Sequence, residues 1–356
     1  MKTLKVAIVG CGSMAGFHMG AYKKNPNVEV YALCDINENL LKKRGEQWNC
    51  QRLYTDEATM LAELPEIDVV DVVTSNDCHA ECSIMALNAG KDVFCEKPMA
   101  TNSKDAKRML EAAKANGRKL MIGFVRRFGK DAVVAKELID KDDLGEIYYA
   151  KASYLRRHGC PGGWFCDKKR SGGGPLIDIG IHVIDLARYL MGNPKPVSVS
   201  ASTFSKLGAR SQLKASISYT SVGRQEEEYN DVEDLAVGMI KFENGATLFA
   251  ETSYSLNIKG DYNAVELCGT KGGISINPSV HFYTNLHNYM SDIDFVGTTQ
   301  FDDDGIVDEL RYFIDALLGK VEFGTTAEDG VVMMQILDAM YESAKTGKEV
   351  VIGEQA

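Results

Sequence analysis

An apolar strand that runs straight into a glycine-rich turn and then into a helix is the feature that most restricts the fold of this sequence. Residues 4–9 are apolar and rich in β-branched side chains, Gly10 ends the run, and an amphipathic segment follows over residues 15–24. Strand and helix patterns then alternate as far as residue 124. Such alternation is typical of a doubly wound parallel sheet with helices on both faces. The sequence therefore predicts an α/β domain over residues 1–125.

The pattern changes after residue 125, where strands follow one another with few helices between them. An apolar segment predicts one helix over residues 176–190, and Asn244-Gly245 predicts a hairpin turn. Strands are predicted at residues 197–204, 234–242, 246–256 and 262–268, an irregular segment at 206–230, and closing helices at 305–318 and at 328–346, the latter capped by Thr325 or Thr326. We therefore expect a second, α+β domain with an open, mostly antiparallel sheet over residues 126–356.

Composition restricts the partners and the surroundings of the protein. The 50 acidic side chains outnumber the 40 basic ones, and the formal charge of −10 argues against nucleic acid or an anionic membrane as partner. The nine cysteines in a chain of this length predict reduced thiols and a cytoplasmic protein. No cleavable leader pattern or membrane-spanning apolar run is apparent, and no cysteine pair has structural zinc spacing, so neither membrane insertion nor a metal is expected.

The glycine-rich turn has the chemistry of a dinucleotide site. Gly10 permits a tight turn, Gly12 allows the backbone to approach a pyrophosphate, and Ser13 and Met14 open a helix whose N-terminus faces the phosphates. Ala15 is small enough for the helix to pack against the strand. Because the turn follows an apolar strand and opens a helix, we predict a Rossmann-type dinucleotide-binding domain rather than an ordinary tight turn.

The aspartate that ends the second predicted strand bears on the choice between NAD and NADP. Asp35 follows Gly12 by about the 20 residues that separate the glycine turn from the ribose-binding acid in such domains. A carboxylate here accepts hydrogen bonds from the ribose hydroxyls and repels a 2′-phosphate, and residues 36–38 contain no arginine. The sequence favours NAD over NADP, with a purely structural strand-capping aspartate as the alternative.

Two further segments supply groups that could catalyse proton and hydride transfer. Lys97 follows the fourth apolar strand, at the sheet edge where doubly wound folds bind ligands, and Glu96 precedes it either as its partner or as a support for the loop. Asp178 and His182 stand four residues apart on the predicted apolar helix, so both project from one face. A histidine suits the removal of a hydroxyl proton, and Asp185 could orient its ring. A solvated loop lysine and a structural core histidine are the alternatives.

These motifs together resemble the Gfo/Idh/MocA oxidoreductases. The resemblance rests on AIVGCGSMA, CEKPMA, VRRF and GGGPLIDIGIHVIDL, and it extends to the VEDLA and FENGATLFAETS segments. It implies an NAD-dependent oxidoreductase in which Lys97, Asp178 and His182 form the catalytic set. Where many members have Thr-Pro-Asn before a histidine near the nicotinamide, this chain has Thr74-Ser75-Asn76 followed by His79. Thr74, Asn76, His79, Glu96 and Lys97 therefore join the glycine turn and Asp35 as predicted cofactor-binding residues.

A basic and aromatic segment before the predicted catalytic helix is the candidate substrate loop. Trp164 could stack on a sugar face, and Arg156, Arg157 or His158 could donate to hydroxyls or a carboxylate. Alternatively, the arginines pair with acidic residues and the tryptophan fills a crevice. Relatives with a similar segment look like sugar, inositol or glucoside dehydrogenases, so we expect a cyclic polyol or glycoside as substrate.

The predicted reaction is a reversible oxidation of a secondary hydroxyl on that ring, with NAD as hydride acceptor. Two alternatives remain open. One is an NAD-retaining glycoside hydrolase that oxidises sugar C3 transiently, and the other is a non-enzymatic regulator that senses NAD or sugar. An open sheet face in the second domain predicts a homodimer or homotetramer.

Overall fold

The computed structural model describes residues 2–210, 212–213, 220–221, 229–298, 304–324 and 327–353. The predicted cap at Thr325 or Thr326, and much of the segment 206–230, lie outside these residues. The chain forms two compact units, one of residues 1–123 with 306–334 and the other of residues 124–305 with 335–356. The predicted second domain, by contrast, runs continuously from residue 126 to 356.

The first unit is a Rossmann fold built on a six-stranded parallel sheet with strand order β3-β2-β1-β4-β5-β6. Its elements are β1 (Leu4–Val9), α1 (Ser13–Lys24), β2 (Val28–Cys34), α2 (Glu38–Trp48), β3 (Leu53–Tyr54), α3 (Glu57–Glu63), β4 (Val69–Val72), α4 (His79–Asn88), β5 (Asp92–Glu96), α5 (Ser103–Asn116) and β6 (Leu120–Gly123). The predicted doubly wound α/β architecture is confirmed. The two-residue strand β3 was not predicted, because two residues are too few to show a period.

Local sequence signals explain where these helices begin and end. The side chain of Asn102 accepts a hydrogen bond from the backbone of Asp105 at the start of α5, and Gly117 ends the helix in the left-handed conformation. Strand β4 is buried along its whole length, as expected for a central strand covered on both faces. The helix that follows residue 303 belongs to this unit because Phe313 packs on Phe94 of β5, with ring centroids 5.5 Å apart.

The second unit contains a nine-stranded, mostly antiparallel sheet with strand order β14-β13-β12-β11-β7-β10-β9-β8-β15. The remaining elements are α6 (Lys130–Asp140), β7 (Ile147–Leu155), α7 (Lys168–Ser171), α8 (Ile181–Leu190), β8 (Pro196–Phe204), β9 (Leu235–Phe242), β10 (Thr247–Ser253), β11 (Tyr262–Gly269), β12 (Gly273–Ile276), β13 (Val280–Leu286), β14 (Tyr289–Asp294), α9 (Asp304–Leu317), α10 (Ala327–Thr346) and β15 (Val350–Val351). The predicted α+β class is confirmed. Strands β7 and β10 pair in parallel at the centre of the sheet.

Turn chemistry accounts for both a predicted hairpin and a missed one. Gly245 has φ +83° between β9 and β10, where the sequence predicts a turn. The hairpin of β13 and β14 was not predicted, although His287 and Asn288 adopt φ values of +52° and +69° in its turn. Asn288 is the signal that could have identified it, because asparagine tolerates the left-handed region. Within the described part of the chain, no helix combines the length and apolar character needed to cross a membrane.

Candidate active site

The glycine turn between β1 and α1 is shaped for close approach of a ligand. Gly10 has φ +95°, and a Cβ atom there would stand 2.5 Å from the carbonyl oxygen of Val73, so only glycine fits. Gly12 caps α1, and a Cβ at this position would meet nothing within 4 Å. Ser13 and Met14 form the first turn of α1 and are half-buried. Open space before a helix N-terminus fits the pyrophosphate of a dinucleotide.

Asp35 holds the glycine turn through its carboxylate. Its Oδ2 accepts a hydrogen bond of 2.7 Å from the backbone amide of Cys11, and its Oδ1 accepts one of 2.8 Å from that of Asn37. The sequence reasoning missed Arg44, whose guanidinium donates to the carbonyl oxygens of Cys11 and Gly12 at 3.2 and 3.4 Å. Arg44 lies on α2, six residues beyond the end of the segment 36–38, which contains no arginine. Both side chains therefore support the turn from the side of β2 and α2.

Backbone and side-chain contacts hold the loop that carries Lys97. Glu96 is 8% exposed, and its Oε2 accepts a hydrogen bond of 3.1 Å from the backbone amide of Lys97. His79 is 1% exposed, with Nδ1 at 2.7 Å from the carbonyl oxygen of Pro98 and Nε2 at 3.2 Å from that of Thr74. Burial lowers the pKa of His79, so the neutral ring has one N–H, which the shorter contact assigns to Nδ1. His79 thus joins the Thr74 and Pro98 loops at the carboxyl edge of the sheet, where Asn76 is also buried.

A π-helical turn precedes α8 in the second unit and contains Asp178. The predicted single helix over residues 176–190 is therefore two segments, a π-turn over Leu176–Gly180 and the α-helix Ile181–Leu190. Glu233 anchors the start of the π-turn by accepting hydrogen bonds of 2.9 Å from the amide of Gly174 and 3.1 Å from that of Leu176. The hydroxyl of Tyr341 donates to the same carboxylate at 2.9 Å. π-turns are frequent at functional sites, and the sequence period does not reveal them.

Asp178 and His182 differ in their surroundings. Asp178 is 8% exposed and accepts a hydrogen bond of 2.7 Å from the hydroxyl of Tyr254, whereas His182 is half-buried. Burial and the adjacent Asp178 charge raise the pKa of Tyr254 well above its ordinary value, so the hydroxyl keeps its proton and acts as donor. Tyr254 directly follows β10 and was not among the predicted site residues.

Asp185 makes a contact that the sequence did not predict. Its two carboxylate oxygens accept hydrogen bonds of 2.8 and 2.6 Å from Nε and Nη2 of Arg127. The guanidinium also lies 5.0 Å from the ring of Phe124 and 4.9 Å from that of Tyr189. Asp185 therefore forms a buried ion pair with Arg127, and its predicted orienting contact with His182 stays a prediction.

The candidate substrate loop is largely engaged with its own unit. Arg156 donates to the carbonyl oxygen of Gly159 at 3.1 Å and to the hydroxyl of Tyr154 at 3.2 Å. Arg157 is exposed and donates to the carbonyl oxygen of Lys259 at 3.2 Å. The acceptors of both guanidinium groups are backbone and tyrosine oxygens. The alternative interpretation predicted that these arginines would pair with acidic side chains.

The aromatic part of the same loop is packed on itself. Trp164 is half-buried and stacks on Phe165 at a centroid distance of 3.8 Å. His158 is half-buried and forms an isolated β-bridge with Ser255. Cys160 and Cys166 flank Trp164 and Phe165 in the sequence, and their thiols stand 3.3 Å apart. No group of three or more potential metal ligands occurs among the residues whose positions are described.

The glycine turn, the parallel sheet and the second, mostly antiparallel sheet define a two-unit, NAD-binding oxidoreductase. A family model described as an oxidoreductase family with an NAD-binding Rossmann fold matches residues 4–124, and the GFO/IDH/MocA C-terminal domain matches residues 133–275. This chain belongs to the Gfo/Idh/MocA family of oxidoreductases. The family resemblance predicted from the motifs is confirmed.

Characterised relatives of this chain act on sugars and glycosides, according to their names. A D-glucoside 3-dehydrogenase of Escherichia coli is 36% identical over 98% of this chain and 97% of its own length. A levoglucosan dehydrogenase of Pseudarthrobacter phenanthrenivorans is 30% identical over 78% of this chain and 74% of its own length. The solved structure of a levoglucosan dehydrogenase with NADH and levoglucosan is 25% identical, with a TM-score of 0.85 over 99% of this chain and 100% of that one.

Proposed function

We propose that this oxidoreductase transfers a hydride between NAD and a secondary hydroxyl of a cyclic polyol or glycoside. The observation that carries the proposal is the pair on the π-turn and α8, where a buried carboxylate held by Tyr254 precedes a half-buried histidine by four residues. Such a pair suits a substrate with adjacent hydroxyls, one bound by the carboxylate and the other deprotonated by the imidazole. The similarity to the D-glucoside 3-dehydrogenase supports a ring as the substrate.

The first unit supplies the groups that would hold the dinucleotide. Gly10, Gly12, Ser13 and Met14 leave space and backbone amides for the pyrophosphate, and Asp35 lies beside the same turn. The resemblance to the family adds Thr74, Asn76, His79, Glu96 and Lys97 at the carboxyl edge of the sheet. NAD, when bound, supplies the hydride acceptor at its nicotinamide ring.

The catalytic roles follow from the chemistry of three side chains. His182 would take the hydroxyl proton, and Lys97 would hydrogen-bond the same oxygen and stabilise the developing alkoxide. Asp178 would hold an adjacent hydroxyl and orient the reacting carbon. Tyr254 would hold the carboxylate of Asp178 in place through its hydroxyl. Trp164 and the basic residues Arg156, Arg157 and His158 remain proposed substrate-loop residues, and the contacts of Arg156 favour a role in shaping the loop over direct binding.

A substrate panel tests the proposal. Purified protein with NAD and separate inositols, free sugars, sugar acids and glucosides should yield NADH with one ring class. NAD that copurifies with the protein but gives no net NADH, together with cleavage of a glycoside, would instead support the hydrolase. Tight NAD binding with no turnover of any ring would support the regulator. Either of these results would overturn the dehydrogenase proposal.

The cofactor preference provides a prediction of its own. Replacing Asp35 by alanine should raise kcat/KM with NADP relative to NAD by about tenfold or more, because a repelling carboxylate is lost near the expected 2′-phosphate. The change also removes the acceptor for the Cys11 amide, so NAD itself should bind more weakly. Glu111→Ala, which removes an exposed carboxylate on α5 in the same unit, serves as the control. An unaltered NAD-to-NADP ratio in Asp35→Ala would remove this residue from the ribose site.

The oligomeric state of the protein is the subject of a second prediction. Strands β8 and β9 of the nine-stranded sheet expose Val197, Phe204 and Met239, with 40–41% of each residue accessible. Because apolar side chains in neighbouring strands favour association, we expect a homodimer or homotetramer. Light scattering on the purified protein would measure the mass, and a monomer at micromolar concentration would contradict the prediction.

We further propose that the protein acts in the cytoplasm on a small molecule, without nucleic acid or membrane as partner.

A further inference from the structure

His18 on α1 occupies an enclosed position within the first unit that the proposed reaction does not use. The residue is fully buried, and the ring packs edge-on against Phe94 at a centroid distance of 5.6 Å. Its Nδ1 lies 2.9 Å from Oδ2 of Asp71, and its Nε2 lies 3.0 Å from Oε1 of Glu96. The two carboxylates come from the adjacent central strands β4 and β5. One side chain of the glycine-turn helix therefore joins both strands.

Contacts with carboxylates on both sides determine the protonation state of this ring. A neutral imidazole has one N–H and can donate to only one carboxylate, whereas an imidazolium donates to both. With both acids ionised, the bridge requires the cation. Burial by itself would lower the pKa of His18, but Asp71 and Glu96 outweigh it and raise the pKa to about 10. The protein thus holds a buried positive charge between two buried negative ones.

Glu96 connects this bridge to the loop that carries Lys97. One carboxylate oxygen accepts from His18, and the other accepts from the backbone amide of Lys97 at 3.1 Å. Burial would raise the pKa of Glu96, but His18 and Lys97 overcome that effect and the pKa is lowered. Position 123 on β6 is a glycine, and a Cβ there would stand 3.3 Å from Oε1 of Glu96. The acid is therefore held ionised beside Lys97, in a space that a larger neighbour would restrict.

We propose that His18 is a positioning residue for Lys97. By bridging Asp71 and Glu96 it keeps Glu96 ionised, and the Glu96 carboxylate then holds the lysine loop by accepting a hydrogen bond from the Lys97 amide. The inference rests on the proposed role of Lys97 in turnover. Helix α1 begins at the dinucleotide turn, so the bridge also joins the cofactor-binding helix to the catalytic loop through one side chain. The charged and titratable groups around the bridge are Asp71, Glu96, Tyr22, Cys95, Lys97, His79 and Glu309.

The first test is the pH profile of kcat in His18→Gln. Without the imidazolium, buried Glu96 should take up a proton, and the lysine loses a neighbouring negative charge that favours its ammonium form. The limb of the parent's pH profile that belongs to Lys97 is the one that disappears in Lys97→Met. In His18→Gln this limb should move to lower pH by about one unit. Glu96→Gln should move it in the same direction, and the two changes combined should not add. His281→Gln is the matched control, since this half-buried histidine also faces a carboxylate, Asp294, but lies in the second unit.

A purely structural role would give a different result. His18→Gln would then lower the thermal stability and the amount of active protein, and the limb would stay where it is; that outcome would overturn the inference. A parent protein that turns over no ring substrate would contradict the proposed function itself. Because kcat could not then be used, the second test relies on spectroscopy alone.

Nitrogen NMR of the unmodified protein provides that second test. The chain has six histidines, and at about pH 8.5, two units above the ordinary histidine pKa, a solvated ring is neutral. We expect one ring, His18, to retain protons on both nitrogens at this pH. Its contribution to stability should be complete below about pH 6.5 and should be lost as the pH rises through about 10. A neutral ring for every histidine at pH 8.5 would refute the bridge, whether or not a substrate is known.

Discussion

Replacing Lys97 by methionine is expected to lower kcat by about 10²–10⁴ while NAD binding stays nearly unchanged. Methionine retains the apolar stem of the side chain but removes the ammonium group that would hydrogen-bond the reacting oxygen. The hydrogen bond to Glu96 comes from the backbone amide of Lys97, so this contact persists in the variant. Turnover with the ring substrate found in the panel and calorimetric titration with NAD would separate the two effects.

Two matched variants make this result decisive. Lys43→Met, an exposed lysine on α2, should leave kcat within a factor of about two of the parent, as expected for a surface change. His182→Asn should produce a loss similar to that of Lys97→Met, since both groups act on the same oxygen in the proposed mechanism. A full rate in Lys97→Met would remove the lysine from that mechanism, and with it the basis of the His18 inference.

Replacing Asp185 by alanine is expected to lower the free energy of unfolding by about 3–5 kcal/mol. Side chains of Asp185 and Arg127 are 1% and 4% exposed and share two hydrogen bonds. Removing the carboxylate leaves a buried guanidinium without this counter-charge, which is far more costly than losing an exposed ion pair. Urea unfolding followed by tryptophan fluorescence would measure the change, in a Trp48→Phe background so that Trp164 of the second unit is the remaining tryptophan.

The double variant Arg127→Met, Asp185→Leu tests the cause of that loss. Apolar side chains of similar volume should recover most of the stability, because the penalty comes from the unpaired charge. Lys151→Ala, which removes a partly exposed pair with Glu266 at 3.8 Å, should cost less than about 1 kcal/mol. A loss in Asp185→Ala as small as that of Lys151→Ala would mean that water reaches the guanidinium.

Local sequence signals account for most of the secondary structure of this protein. The glycine turn, the caps and the strand and helix periods act over a few residues, so most elements of both units and their α/β and α+β classes were predictable, although the hairpin of β13 and β14 was not. Short strands such as β3 and β15 were not, because two residues show no period. The π-turn at Leu176–Gly180 was not either, since a helical pattern does not distinguish a π-turn from an α-turn.

The sequence by itself determined the family, the NAD-binding turn and the candidate residues Lys97, Asp178 and His182, because each stands in a motif that can be read along the chain. Only the tertiary structure decided which charged groups meet. Arg127 is 58 residues from Asp185, His18 is 53 from Asp71 and 78 from Glu96, and Tyr254 is 76 from Asp178. Contacts over such separations depend on how strands and helices pack, and no local period or spacing encodes them.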